Sequence, residues 1–329
     1  MRAALIDDDP KFRRTAGKLT QAGLRCDPID PGSGAPEARQ QLISKLQDPQ
    51  YTIILLDYRL DGETANMRAG GISAELRELR PDLPVVLLTS ESNQKEFVDH
   101  NPVVREAFDR VIRKENIISS DDHIRIAREL CDLSEGYAQL AIRTDESIGQ
   151  TISQRLFELV DATNNERNIL KECLGGVSLA TSGEIARWLL RELLVYPGPL
   201  LDSHEASAFL GVDYDWFAHS GEDYLKAAQY GGPFSKMKRR WWRGRLSSCI
   251  AKAALAAPLK PASCSWCNEQ NVTRCCSSCR KPVGQMHCLA GTIDRRPRWA
   301  MPSVFCFQCI ATRDLESVHF GAAAIDIAT

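Results

Sequence analysis

Along the N-terminal third, apolar positions gather into four short unbroken runs, and each run hands over abruptly to polar residues. Residues 3–6 (Ala-Ala-Leu-Ile) stop at Asp7-Asp8-Asp9-Pro10, and residues 52–56 (Thr-Ile-Ile-Leu-Leu) stop at Asp57. Val85-Val86-Leu87-Leu88 stops at Thr89-Ser90, and the shorter Val111-Ile112 stops beside Lys114. Runs without polar alternation predict strands buried on both faces, and the helical spacing between them predicts the crossovers of a parallel sheet. In such a sheet ligands bind beyond the carboxyl ends of the strands. All four runs bring a polar or charged residue to that one edge.

From about residue 121 to about 256 the apolar period becomes helical. Ile124, Ala127, Leu130 and Cys131 share one helical face, and Ile152, Leu156, Leu159 and Val160 form a second stripe. Ile185, Trp188, Leu189, Leu193 and Leu194 form a third, and Tyr196-Pro197-Gly198-Pro199 breaks the helices apart. The segment 200–213, with Asp202 or Ser203 as cap, Ser207 as a small residue and Gly211 as the turn, matches the first helix of a helix-turn-helix. Lys236 to Arg245 is basic and carries Trp241-Trp242, which reads first as a helix with a tryptophan core face and arginines paired to acids such as Glu222 and Asp223. The competing role for that segment is base stacking on a nucleic acid.

A length of 329 residues predicts two or three domains. The expected architecture is multidomain: an α/β doubly wound parallel sheet over 1–135, an all-α region over 136–257, a small zinc-stapled module over 258–315, and a tail over 316–329. The formal charge of −2 supplies no overall attraction to nucleic acid or membranes. No apolar run approaches the roughly 18–20 residues of a membrane span. Three aspartates follow the first apolar run, unlike a secretory signal, so a cytoplasmic location is expected.

The charged residues at the sheet edge suggest a specific chemistry. Asp7, Asp8 and Asp57 repel one another unless a hard cation lies between them, and Mg²⁺ suits oxygen ligands. A cation there offsets the charge of an incoming phosphoryl group, while a lysine ammonium and a small hydroxyl hold its other oxygens. By residue type and order this set resembles the response-regulator receiver family. The resemblance covers about residues 1–130. It implies that Asp7 and Asp8 are the acidic pair, that Asp57 accepts the phosphoryl group, and that the Arg59 backbone carbonyl joins them on Mg²⁺. Thr89 is then the switch hydroxyl and Lys114 the phosphate-binding lysine, with a sensor histidine kinase or phosphotransfer protein as donor. Three positions depart from the family pattern: the enlarged loop from Asp61 to Gly71, Val111 where an aromatic is usual, and Glu115 where proline is usual.

Cysteine defines the far end. Of the 12 cysteines, all but Cys26, Cys131, Cys173 and Cys249 crowd into 264–309, largely as C-x₂-C pairs. Such pairs, without an export signal, predict zinc rather than disulfides. Cys264 and Cys267, Cys276 and Cys279, His287 and Cys288, and Cys306 and Cys309 offer donors for two structural Zn²⁺ ions. Four ligand pairs in series resemble the cross-braced zinc fingers (RING, PHD, FYVE), in which pairs one and three hold one ion and pairs two and four the other. Adjacent His287 and Cys288 lack the usual spacing, and Cys275 is a spare, so the partition stays open. The resemblance implies a protein partner, with Arg295-Arg296-Pro297-Arg298-Trp299 as a contact surface. Overall the expected function is a phosphorylation-controlled interaction protein, with a DNA-binding regulator or an E3-like adaptor as alternatives.

Overall fold

A computed structural model provides the structure. It describes residues 1–32, 36–60, 69–98, 101, 106–118, 122–142, 152–175, 179, 181–196, 198–210, 217–218, 225–246 and 249, and the strand segments 274–275, 282–283, 287–290, 304–306 and 325–326. The chain divides into two compact units, Met1–Leu159 with Leu179–Arg187, and Val160–Ser178 with Trp188–Thr329. The expected boundary at residue 135 falls inside a continuous helix, Asp122–Ile142.

In the first unit the elements run β1 (Arg2–Ile6), α1 (Pro10–Arg13), α2 (Ala16–Gln21), β2 (Arg25–Ile29), α3 (Pro36–Leu46), β3 (Ile53–Asp57), α4 (Ala69–Leu79) and β4 (Val85–Thr89). They continue with α5 (Glu91–Asn93), β5 (Arg110–Arg113), α6 (Lys114–Ile118), α7 (Asp122–Ile142) and α8 (Ile152–Leu159). The sheet order is β2-β1-β3-β4-β5, with every pairing parallel. This is the expected doubly wound α/β sheet, and it fits a receiver fold. The chain reverses its winding between β1 and β3, so the cleft beyond their carboxyl ends is the natural ligand site.

Burial explains why these runs are strands. Every residue of β3 and β4 is buried, as two-sided coverage by helices requires. Ala4, Ile6, Ile54, Leu56, Val85 and Leu87 pack with Leu42, Ile43 and Leu46 of α3 and with Ile72 and Leu76 of α4. Alternation sends Ala3, Leu5, Ile53, Leu55, Val86 and Leu88 to the opposite face, and all six are buried. Truncating one such leucine to alanine removes about 2–5 kcal/mol. The buried stripe of α7 is Ile126, Ala127, Leu130, Leu133, Tyr137 and Leu140. Ile124, expected on that stripe, is 52% exposed, because it lies in the first turn of the helix, one position off the buried face. At the base of the sheet the Asp109 carboxylate is buried, accepting from Val85 N at 2.8 Å and from Tyr137 Oη at 2.7 Å. Ser134 Oγ donates to Thr52 O at 3.1 Å, so α7 is tied to the sheet by polar contacts as well as by its apolar stripe. Near Leu179–Arg187, a Cβ on Gly183 would lie 2.2 Å from the Pro81 carbonyl oxygen, so only glycine fits there.

The second unit contains α9 (Asn164–Leu174), β6 (Leu200–Leu201), α11 (Ser203–Leu210) and β7 (Trp241–Trp242), while α10 (Ser182–Trp188) belongs to the first unit up to Arg187. α9 opens with a Thr163–Glu166 capping box and closes on Gly175 at φ 55°, the left-handed cap that favours glycine. α11 has its own reciprocal cap, Glu205 N to Asp202 Oδ1 and Asp202 N to Glu205 Oε2, both 2.8 Å. The tryptophans are core residues, as first read, but in a strand instead of a helix: β7 pairs antiparallel with β6. A ring on each face of a two-stranded ribbon explains the choice. Trp241 packs edge-on to Phe217 and Trp242 edge-on to Tyr230. Short strands β8 (Arg274–Cys275), β9 (Pro282–Val283), β10 (His287–Ala290), β11 (Val304–Cys306) and β12 (Ile325–Asp326) complete the described elements.

Candidate functional site

Four strand ends build the site. β1 delivers Asp7, which is fully buried, and the Asp9 amide donates to Asp7 Oδ1 at 2.8 Å, a turn that fixes the carboxylate. β3 ends on Asp57, 6% exposed, whose Oδ1 accepts from its neighbour's amide, Tyr58 N, at 2.8 Å. β5 ends one residue before Lys114, whose Nζ lies 2.7 Å from Asp7 Oδ2 and 3.0 Å from Asp57 Oδ1. β4 ends on Thr89, buried, one step beyond Leu88, the register partner of Asp57. Asp8 is exposed at the rim, and carboxylate oxygens of Asp7, Asp8 and Asp57 lie within 4.8 Å of one another. Arg59 follows two residues after Asp57 with its side chain exposed. The structure therefore brings Asp7, Asp8, Asp57 and Lys114 together and sets Thr89 on the same edge.

The electrostatics follow from burial. Asp57 is pushed up to about 7, first by desolvation, with Asp7's charge adding to it and Lys114 opposing. Asp7 is raised as well, again chiefly by burial. Burial works to lower Lys114, but Asp57 and Asp7 overcome it, so its ammonium is held above the usual range. One ammonium facing two buried carboxylates and a third at the rim leaves excess negative charge, and all-oxygen donors suit a hard dication. The residues present therefore fit Mg²⁺. A pH dependence follows. A carboxyl with a raised folded-state value stabilises the fold at low pH and loses that contribution as pH rises through the folded value. In metal-free buffer the chain should gain stability, by up to a few kcal/mol, as pH falls from about 7 towards the ordinary carboxylate range near 3.8. Chemical denaturation at pH 8 and pH 5 measures this, and added Mg²⁺ should shrink the difference.

Two features of the site carry no motif signal. Phe12, on α1, places its ring 4.8 Å from Lys114 Nζ. Beside Thr89, a polar link joins the exits of β4 and β5. Arg113 Nε donates to Gln94 Oε1 at 2.9 Å, and Glu115 Oε1 accepts from the Glu91 amide at 3.4 Å. Val111, the departure from the aromatic usual in the receiver pattern, is half-buried against the core. The enlarged loop lies outside the described residues over 61–68.

Elsewhere the expected residues are placed as follows. Cys264, Cys267, Cys276, Cys279 and Cys309 lie outside the described residues, as do Arg295 to Trp299. His287 and Cys288 stand in β10 and Cys306 in β11, with His287 the register partner of Cys306. Burial raises the Cys26 and Cys173 thiols to about 12, which leaves both as inert space-fillers. Two of the basic-segment arginines are ion-paired inside the second unit. Arg240 meets Glu205 at 3.0 Å, and Arg245 meets Glu166 at 2.9 Å; Glu222 and Asp223 lie outside the described residues. Of the helix-turn-helix match, α11 is present, and the turn from Gly211 lies outside the described residues. Among the described residues no helix is long and apolar enough to cross a membrane.

No family model matches the chain, and no curated protein matches it. Several solved structures are similar to part of it. The response regulator protein TrrA from Thermotoga maritima, in complex with Mg²⁺–BeF, is 18% identical over 40% of this chain and 96% of that one, with a TM-score of 0.29. The adenylate cyclase from Rhodopirellula baltica is 19% identical over 43% and 97%, with a TM-score of 0.30. The receiver domain of NtrX from Brucella abortus is 19% identical over 39% and 94%, also with a TM-score of 0.30.

Proposed function

We propose that the chain is a phosphorylation-dependent response regulator in which Asp57 takes a phosphoryl group from a sensor histidine kinase or phosphotransfer protein. The observation that carries this is the convergence of Asp7, Asp57 and Lys114 within ion-pair distance at the switch point of a parallel sheet. An Asp57 oxygen attacks phosphorus in line, the bond from phosphorus to the donor atom breaks, and the donor leaves with that electron pair. Lys114 stays charged throughout and neutralises one phosphoryl oxygen, and the Thr89 hydroxyl donates to another. Mg²⁺, held by Asp7, Asp8, Asp57 and the Arg59 carbonyl, supplies the remaining charge neutralisation when bound. A shift of Thr89 towards the phosphoryl group would pull on Ser90 and Glu91, and the Glu91–Glu115 and Gln94–Arg113 contacts would carry that pull to α6 and to the end of β5.

The output of this switch is proposed to be a protein-binding module stapled by two structural Zn²⁺ ions. Its support is the donor set, Cys264, Cys267, Cys276, Cys279, His287, Cys288, Cys306 and Cys309. The purified chain should carry about two zinc per molecule. Cys264→Ser and Cys306→Ser should each lower that content; metal analysis decides.

A pull-down tests the whole proposal. The Mg²⁺–beryllofluoride form of the full chain should capture a partner that Asp57→Ala does not. Identical partners in both states would refute phosphorylation control.

A further inference from the structure

We propose that Phe12 is a positioning residue for Lys114, its ring face giving the ammonium a fixed seat from which it meets the phosphoryl oxygens on Asp57. Lys114 ends in a compact charge on a flexible four-carbon stem, so reaching the same point on every turnover requires restraint. Asp7 and Asp57 hold the ammonium at 2.7 and 3.0 Å. The Phe12 ring closes a further side, 4.8 Å from Nζ, within the range over which an aromatic quadrupole attracts a cation.

The ring is itself well anchored. Phe12 is 5% exposed, and its carbonyl accepts twice from Thr15, at 2.7 Å from the amide and 2.6 Å from the hydroxyl. These bonds end α1 directly after the acidic triplet, and the Arg13 amide bonds back to Asp9 O at 3.0 Å. The same short turn that follows the metal-binding acids therefore also fixes the ring. A leucine in this place would fill similar space and exclude water, but it has no quadrupole. Charge positioning can thus be separated from packing.

The proposal rests on the phosphoacceptor reading for only one of two readouts in the full chain. The first is the ¹³C-labelled Lys114 ε-methylene resonance, identified by its loss in Lys114→Met. Ring current should shift it upfield in the natural chain, Phe12→Leu should abolish the shift, and Phe12→Tyr and Phe12→Trp should keep it. The second is beryllofluoride affinity at saturating Mg²⁺. Phe12→Leu should weaken it about two- to twenty-five-fold, the span of a cation–π contact, while Tyr and Trp stay close to the natural chain. An unshifted resonance, or Tyr and Trp variants as weak as the leucine variant, would overturn the role of the ring. So would a leucine variant of undiminished beryllofluoride affinity. A natural chain that binds no more beryllofluoride than Asp57→Ala would overturn the acceptor reading, with it the phosphoryl role of Phe12, and would leave the resonance to report the ring contact alone.

Discussion

Replacing Asp57 by Asn is expected to abolish phosphorylation of the full chain by acetyl phosphate in Mg²⁺, read as loss of the phosphoryl mass increment on the intact protein. The substitution keeps the shape of a side chain that is 6% exposed at the end of β3, so the fold has no reason to change. It removes the one nucleophilic oxygen facing both Asp7 and Lys114. Asp7 and Asp8 are the proposed metal ligands, and Asp7 Oδ2 is held by Lys114 at 2.7 Å. The variant should also be the more stable protein in metal-free buffer above about pH 7, where the natural chain carries a buried carboxylate ionised against its preference. Loss of the increment together with raised stability separates a missing nucleophile from a damaged fold.

Lys114→Met is expected to slow the same reaction by roughly 10²–10³-fold, the usual effect of removing one preorganised charge donor at a developing anion. Methionine fills the space of the stem, so packing against Phe12 is kept and the charge alone is lost. The stability change should depend on pH. At pH 8 two buried carboxylates lose their ammonium, and removing one partner of such a set destabilises by about 3–5 kcal/mol when burial is complete; with Lys114 18% exposed the loss should fall below that. Near pH 5 Asp57 is largely protonated, and the difference between variant and natural chain should narrow. Stopped-flow rates and urea midpoints at the two pH values test both halves.

The sheet and the polar residues gathered at its edge were legible in the sequence for a physical reason. Buried parallel strands read as unbroken apolar runs, and the residues that end them must sit at one edge. Asp7, Asp57, Thr89 and Lys114 were all found this way. β2 was not, since an edge strand covered on fewer sides needs no such run, and Arg25-Cys26-Asp27-Pro28-Ile29 alternates between buried and more exposed positions. Phe12 was missed because its partner lies at the other end of the unit, and one ring in a short helix has no periodic signal. In the second unit the tryptophans could be assigned to a core from their character alone. Their strand depends on pairing with Leu200–Leu201, a non-local contact to which local periodicity is blind. The same holds for Arg240 and Arg245, whose partners Glu205 and Glu166 lie 35 and 79 residues away in the chain. The cysteine pairs were read from spacing alone, and Cys264, Cys267, Cys276, Cys279 and Cys309 lie outside the described residues.

The central claim, that Asp57 is the phosphoryl acceptor, is tested most directly by trapping. The natural chain is incubated with acetyl phosphate and Mg²⁺, reduced with borohydride, digested and mapped by mass spectrometry. An acyl phosphate on Asp57 should appear as homoserine at that position, dependent on Mg²⁺. Reduction at another carboxylate, or none at Asp57 while the intact chain carries the phosphoryl mass, would contradict the account.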